Sequence, residues 1–326
     1  MRAPLPVKNG VGPTRLRVPA DGPWPTIAAF VAERFTHIDA SEIHRRFAAG
    51  EIVGGDGAVI GPDAPPGTHE FLWYYRELPD EAPLPHRESI LHADDDLIVI
   101  DKPHFLPTTP GGRYLQESAL VRLRVRLDNP DIIPIHRLDR PTAGLVMFSE
   151  RPESRGAYQS LFERRRVTKV YEAVSALPAD WDPEHPRLAG RPLPLVFRNH
   201  IHRDRDASGH GLVVAVAPDR PPNTETLIEV LETGLSAAGR RVLRTRLSPR
   251  TGKMHQLRVH LSAVGAPILG DRWYPELLPE APDDLDLPLQ LLARELAFID
   301  PLSGEPRSFT SELTLREAPT PGAGIR

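Results

Sequence analysis

The chain has no cysteine in any of its 326 positions. Disulfides, thiolate nucleophiles and cysteine metal ligands are therefore excluded, and the composition fits a reducing compartment. Long apolar runs are missing as well. No stretch approaches the roughly 18 apolar residues of a membrane span. The opening MRAPLPVKNGVGPTRLRVP has no apolar core of signal-peptide length. A soluble, cytoplasmic protein is expected. Lysine is scarce, with four residues beside 36 arginines, a bias that base composition alone can produce. GDGAVIG and PGGR are the glycine-rich pieces, and neither fits a phosphate-cradling loop.

What is present suits a packed globular protein: 40% of residues are apolar and 26% charged. The length allows one large domain and a small one. A net charge of −4 taken whole argues against a nucleic-acid partner, but the charge is unevenly spread. From Lys102 to Lys169 there are 13 basic residues against 7 acidic ones, a local excess of +6. From Arg240 to His260 there are 7 basic residues and no acidic one. Acid collects elsewhere, as in PELLPEAPDDLDLP (275–288). A field focused on one face can steer a polyanion whatever the total.

Four segments are expected. Residues 1–22 read as an irregular arm and 23–78 as a small α/β module. A Pro-rich linker covers 79–89, and a large domain spans 90–326. In the module, TIAAFVAERF and ASEIHRRFAAG have helical spacing, with Ser41 as a start cap and Gly50 as a stop. EIVGG and GAVIG read as short strands. In the large domain, LIVI, GLVMFSE, TKVYEAVSAL, ETLIEVLET and RVLRTRLS read as strands. RVLRTRLS sets Leu243, Thr245 and Leu247 on one face and Arg244 and Arg246 on the other. ESRGAYQSLFERRR reads as a helix with Ala157, Leu161 and Phe162 on one face. KMHQLRVHLSAV reads as a helix started by Thr251 and Gly252, with Met254, Leu257, Leu261 and Val264 buried. The fold class is α+β: a mixed, mostly antiparallel sheet with flanking helices.

Three clusters can carry chemistry. In IHRLDRPTAGLVMFSE (135–150), Asp139 lies between Arg137 and Arg140 in a short loop entering an apolar strand. Pro141 biases Arg140 away from helix, and Gly144 permits close backbone approach. In LSPRTGKMHQLRVHLSAVGAPILGDRWY (247–274), a buried Arg258 would need a carboxylate partner, for which Asp139 is the obvious candidate. In VTKVYEAV, Lys169, Tyr171 and Ala173 share a strand face, so a cation and a flat ring stand side by side. Taken singly, each cluster reads more simply as ordinary salt bridges and half-buried side chains.

Together they resemble a family. HRLDRPTAGL is similar to the HRLDxxTSGL signature of the RluA-type pseudouridine synthases. DDDLIVIDKP resembles that family's strand ending in Asn-Lys-Pro, with Asp101 for Asn. Lys169, Tyr171 and Ala173 match its KxYxA element. TGKMHQLRVHLSAVGAPILGD matches its TGRxHQIRxH block, and ARELAFIDPLSGEP its C-terminal block. The matches occur in family order over about residues 90–315. More weakly, 23–78 resembles the small RNA-binding domain shared with a small-subunit ribosomal protein. Ala143 replaces the usual Ser, Lys253 the usual Arg, and Asp101 adds negative charge near the expected RNA face.

The resemblance implies an isomerase that acts on uridines of structured ribosomal or transfer RNA, without cofactor or metal, as a monomer. Asp139 would be the essential nucleophile or base, oriented by Arg258, with Tyr171 packed on the flipped base. Arg137, Arg140, Lys169, Lys253, His255 and Gln256 would contact RNA. Two rival readings remain at this level. One is an inactive RNA-binding relative. The other is a hydrolytic metal site built from His136, Asp139, His255 and His260.

Overall fold

The computed structural model describes residues 3–78, 80–205, 212–279 and 281–320. The chain divides into two compact units. The first takes in Met1–Ala82, Pro110–Gln116 and Val121–Pro130, and the second Pro83–Thr109, Glu117–Leu120 and Asp131–Arg326. Two short stretches inside the expected catalytic domain thus belong to the first unit.

In the first unit, β1 (Thr14–Arg17) and α1 (Ile27–Arg34) precede α2 (Ala40–Ala48), β2 (Val53–Gly54) and β3 (Phe71–Tyr74). The strands form an antiparallel sheet in the order β1-β3-β2. The arm expected over 1–22 therefore supplies a strand. TRLR alternates half-buried and exposed residues, and Leu16 pairs with Leu72. Five residues between prolines are too few for that alternation to stand out in sequence. α2 is capped by Asp39, which accepts from the Ser41 backbone N–H at 2.7 Å. Ser41, the expected cap, instead donates its hydroxyl to Asp39. Gly50 does stop the helix, with φ +73°. GAVIG is not a strand; Val59 makes only an isolated bridge to Val53.

The second unit opens with β4 (Ser89–Ala93) and β5 (Leu97–Lys102); α3 (Ala119–Arg126) follows in the chain. Next come β6 (Ile133–Pro134), β7 (Ala143–Ser149), α4 (Pro152–Glu163) and β8 (Thr168–Ala176). Then come β9 (Arg187–Leu188), β10 (Arg191–Pro192), β11 (Leu195–Asn199), β12 (Ile201–Arg205) and β13 (Leu212–Val216). β14 (Thr224–Leu235), β15 (Arg241–Pro249), α5 (Gln256–Ala263), β16 (Leu291–Ile299) and β17 (Pro306–Thr310) complete it.

Ten of these strands make one sheet, ordered β11-β14-β15-β8-β16-β7-β5-β4, with β17 beside β16 and β6 beside β7. Among the described pairs in that sheet only β16 and β7 run parallel, so the α+β, mostly antiparallel expectation holds. β15 alternates as read, with Leu243, Thr245 and Leu247 buried and Arg244 and Arg246 half-buried. In α4 the buried stripe is Ser154, Tyr158 and Leu161 rather than Ala157, Leu161 and Phe162. Tyr158 reaches inward because its hydroxyl donates to Asp300 at 2.9 Å. α5 begins later than read, after His255, whose φ of +55° turns the chain into the helix. Leu257, Leu261 and Val264 are buried as expected, and Met254 is only half-buried.

The central crossing fixes one residue type. Gly144 pairs with Lys102 on one side and with Ala293 on the other. A Cβ there would lie 2.3 Å from the Ala293 carbonyl oxygen, and φ is already +107°. Both features require glycine. Gly144→Ala is expected to lose about 3 kcal/mol or more of stability, measured by chemical denaturation. Wild-type stability in that variant would refute the close-approach argument.

Candidate active site

Asp139 sits in the loop between β6 and β7, and that loop is gripped from both sides. The Thr108 hydroxyl donates to the Leu138 carbonyl at 3.0 Å and lies 3.2 Å from the Leu138 N–H. Lys102, fully buried at the end of β5, donates to the carbonyls of Pro103, Leu106 and Arg140 at 3.0, 2.8 and 3.3 Å. His104 Nδ1 donates to the Pro141 carbonyl at 2.7 Å. Residues 138, 140 and 141 are therefore pinned at the backbone while the Asp139 side chain is left free to work. Burial pulls Lys102 down to about 7, opposed by the Asp139 charge. Burial likewise holds His104 down at about 4.

The floor beneath Asp139 comes from α5. The Arg258 guanidinium is 3% exposed and lies 3.6 Å from Asp139 Oδ2. Its main partner is different from the one expected. Arg258 Nε and Nη2 donate to the two Asp271 oxygens at 2.8 and 2.7 Å. Asp271 itself is 1% exposed, so the pair is a buried, two-pronged ion pair. Asp271 also accepts from the backbone N–H groups of Trp273 and Tyr274. Both rings then stack near the guanidinium, with centroids at 5.7 and 5.3 Å. Tyr274 in turn meets His255 Nδ1 at 2.9 Å, and His255 Nε2 stands 3.7 Å from Asp139. Burial lowers the His255 pKa, with Asp139 opposing.

Asp139, His255 and Arg258 line a cleft of about 470 Å³. Tyr171 and Lys169 enter it from β8, with Arg137, Lys253 and Arg203 around it. Burial raises the Tyr171 phenol well above its ordinary value, and the Asp139 charge adds to that. Tyr171 is therefore a neutral phenol at working pH. Burial lowers Lys169, with Arg165 adding repulsion. A Cβ on Gly252 would sit 3.5 Å from Lys169 Nζ, so the loop before α5 runs beside that cation. A larger cleft of about 840 Å³ lies in the first unit. It is the roomier of the two, but none of the three clusters read from the sequence faces it.

The cleft thus gathers Asp139, Tyr171, Arg258, Arg137, Lys169, Lys253, His255 and Gln256. Two of the expected contacts are engaged within the protein. The Gln256 amide is saturated, accepting from Thr251 and the Lys253 N–H and donating to the Glu225 carbonyl and Thr226. Arg140 turns away to Asp283, at 2.8 and 2.5 Å. Asp101, expected near an RNA face, does not stand on the surface. It is buried, and accepts from Ser311 and the Glu312 and Leu313 N–H groups. The four side chains of the metal reading do not converge. His260 faces Thr224 and Asn199, at 3.0 and 2.9 Å. His136 accepts from the Met147 N–H, and burial holds it down at about 3.

Asp271, Thr108, His104, Tyr274 and Arg203 were missed. Asp271 had a signal, since it closes the GAPILGD block, but nothing in its spacing showed which arginine it holds. The basic run 240–260 overstated the field. Arg244 pairs with Glu172 and Glu232, Arg246 with Glu295, and Arg250 with Glu225.

A family model described as RNA pseudouridylate synthase matches residues 96–263. The chain belongs to this family. It is an isomerase that forms pseudouridine in RNA. It is 32% identical over 222 residues to the dual-specificity RNA pseudouridine synthase RluA of Escherichia coli, covering 68% of this chain and 90% of that one. An uncharacterized RNA pseudouridine synthase of Synechocystis is 29% identical over 251 residues, 75% of this chain and 78% of its own. The human RNA pseudouridylate synthase domain containing 1 structure shares the fold, with TM-score 0.54 and 24% identity over 72% of this chain and 86% of that one. Among the described residues no helix is long and apolar enough to cross a membrane.

The buried pair under the cleft gives a prediction. Asp271→Asn leaves the Arg258 charge without a buried counter-charge and should cost about 3 kcal/mol of stability. Pseudouridine formation should fall at least about tenfold as Arg258 shifts toward Asp139. Calorimetry and tritium release from 5-tritiated uridine RNA measure the two effects. An unchanged melting temperature would show that the pair is not what holds Arg258.

Proposed function

We propose that Asp139 starts the isomerisation of a flipped-out uridine, with Arg258 orienting it and Tyr171 packing on the base. The observation that carries this reading is the approach of Asp139 to Arg258, 3.6 Å apart, in a cleft also lined by Tyr171. In the reaction the bond from C1′ to N1 breaks, the uracil turns, and C5 bonds to C1′. The proton on C5 is then lost and N1 gains one, so atoms balance without redox change. Asp139 either attacks C1′ or takes a sugar proton; both roles need a carboxylate held at a fixed point. The Tyr171 ring offers a stacking surface, and its phenol stays protonated.

Taking a uridine out of its stack costs a few kcal/mol. Phosphate contacts offset that, and Arg137, Lys169 and Lys253 surround the cleft for the purpose. Arg137 is exposed and, among the described residues, makes no hydrogen bond or ion pair, so it is free for RNA. The target we propose is a structured ribosomal or transfer RNA, reached in the cytoplasm by a monomer. Relatives named as dual-specificity enzymes support a target shape that more than one RNA presents.

Asp139→Asn keeps the side chain's size and removes its charge. Tritium release from ribosomal and transfer RNA transcripts made with 5-tritiated uridine should fall below about one-hundredth of wild type. Affinity for the same transcripts should stay within a few-fold. Turnover near the wild-type rate would end the assignment.

A further inference from the structure

His255 ends the loop before α5, and helix capping does not account for it there. Its φ is +55°, a left-handed conformation that glycine or asparagine takes more cheaply. A polar residue at a helix start ordinarily bonds a free backbone N–H of the first turn. The His255 side chain makes no such bond. An RNA contact was the expectation, yet the side chain is only 9% exposed and has little surface to offer a polymer. Trp273 and Tyr274 meet the ring edge to face, with centroids at 5.0 and 5.7 Å. The strained backbone thus aims the ring at the cleft wall, and two aromatic neighbours hold it there.

Both ring nitrogens meet a defined neighbour. Nδ1 lies 2.9 Å from the Tyr274 hydroxyl, and Nε2 lies 3.7 Å from Asp139 Oδ2. Arg258 Nη1 approaches that same oxygen at 3.6 Å. Burial lowers the His255 pKa, with Asp139 opposing, Arg258 assisting and Asp271 opposing. The ring is therefore neutral near pH 7 and carries one proton. With that proton on Nδ1, a bare nitrogen lone pair would face the carboxylate and repel it. With it on Nε2, an N–H faces the carboxylate and Nδ1 accepts from the Tyr274 hydroxyl. Only the second arrangement suits both neighbours, so Tyr274 and Asp139 together select the tautomer.

On the reading that Asp139 starts the reaction, we propose that His255 is a positioning residue, presenting Nε2–H to Asp139 Oδ2 in the tautomer that Tyr274 fixes. The 3.7 Å gap is longer than a direct hydrogen bond. A small rotation of the carboxylate closes it as the uridine enters, since such contacts tighten in the substrate complex. Arg258 and His255 then hold one oxygen together and leave the other for the uridine. Their parts differ. Arg258 supplies charge from a place set by Asp271. His255 supplies direction, because a single N–H on a packed ring tolerates little tilt.

The test uses the full-length protein. Tyr274→Phe keeps the aromatic ring and removes the hydroxyl, so His255 loses its tautomer lock. With ribosomal and transfer RNA transcripts carrying 5-tritiated uridine, kcat should fall roughly tenfold in this variant while KM stays within about twofold. His255→Ala should lose more. His255→Gln, whose amide nitrogen can stand where Nε2 stood, should recover part of that loss. In ¹⁵N-labelled enzyme the His255 ring signal, identified by its absence from His255→Gln, should be that of the Nε2–H tautomer. In Tyr274→Phe it should become mixed. A merely structural role would lower the melting temperature without moving the tautomer. An Nδ1–H ring in the wild type overturns the proposal, and so does an unchanged kcat in Tyr274→Phe and His255→Ala. A rise in KM alone also overturns it and makes His255 an RNA contact. Should His255→Ala fail to fold, the wild-type tautomer and Tyr274→Phe decide. Wild-type turnover in Asp139→Asn would instead fault the reading of Asp139 itself, whatever the tautomer.

Discussion

The constraint on which the site depends is the burial of one guanidinium. Arg258 is 3% exposed, and a charge so far from water is tolerable only with a close, well-shaped partner. Asp271 is that partner, and holding Arg258 is only part of its task. Its Oδ1 also accepts the Trp273 and Tyr274 backbone N–H groups, which fixes the turn after α5. That turn delivers Tyr274 to His255, and His255 flanks Asp139. One desolvation cost therefore sets the position of a helix, a turn, a tyrosine and a histidine. Asp139 gains oriented neighbours without being locked into the pair, since its distance to Arg258 exceeds that of a direct hydrogen bond.

The same logic explains the loop that carries Asp139. The carboxylate proposed to start the reaction needs a fixed backbone and free oxygens. Thr108, Lys102 and His104 hold the flanking peptide groups. Gly144 lets β7 lie tightly between β5 and β16, so the loop enters the sheet at a set height. None of these contacts touches the Asp139 carboxylate.

Much of this was legible in the sequence. Period-two alternation in RVLRTRLS and the 3.6-residue spacing around Leu257 and Leu261 reported the core faces correctly. HRLDRPTAGL located the loop, and Gly144 within it was read for the right reason. The misreadings share a cause. Asp139 was taken as the main partner of Arg258 because Asp271, 13 residues further on, shows its role only once the turn is folded. Gln256 and Arg140 look like RNA contacts in a linear motif, yet Asp283 holds Arg140, and Glu225 and Thr226 take up the Gln256 amide N–H groups. The charge count over 240–260 failed similarly, since Glu172, Glu232 and Glu295 reach those arginines across neighbouring strands. Pairing across strands is long-range information, and composition within a window cannot hold it.

The arginines consequently fall into two physical kinds. Arg258, Arg244 and Arg294 are buried or half-buried and carry carboxylates; Glu172 serves both of the last two, and Glu232 adds a second partner to Arg244. Their charge is cancelled locally, so they shape the enzyme and add little to its outer field. Arg137 and Arg203 are exposed at the cleft and carry no partner among the described residues, so their charge is available to a polyanion. A chain with net charge −4 can then bind RNA, because the relevant quantity is the number of unpaired cations at the cleft rather than the sum over the surface. Chemistry and recognition are thereby separated. The paired, desolvated arginine stands beneath the Asp139 carboxylate, and the exposed ones leave positive charge at the cleft rim.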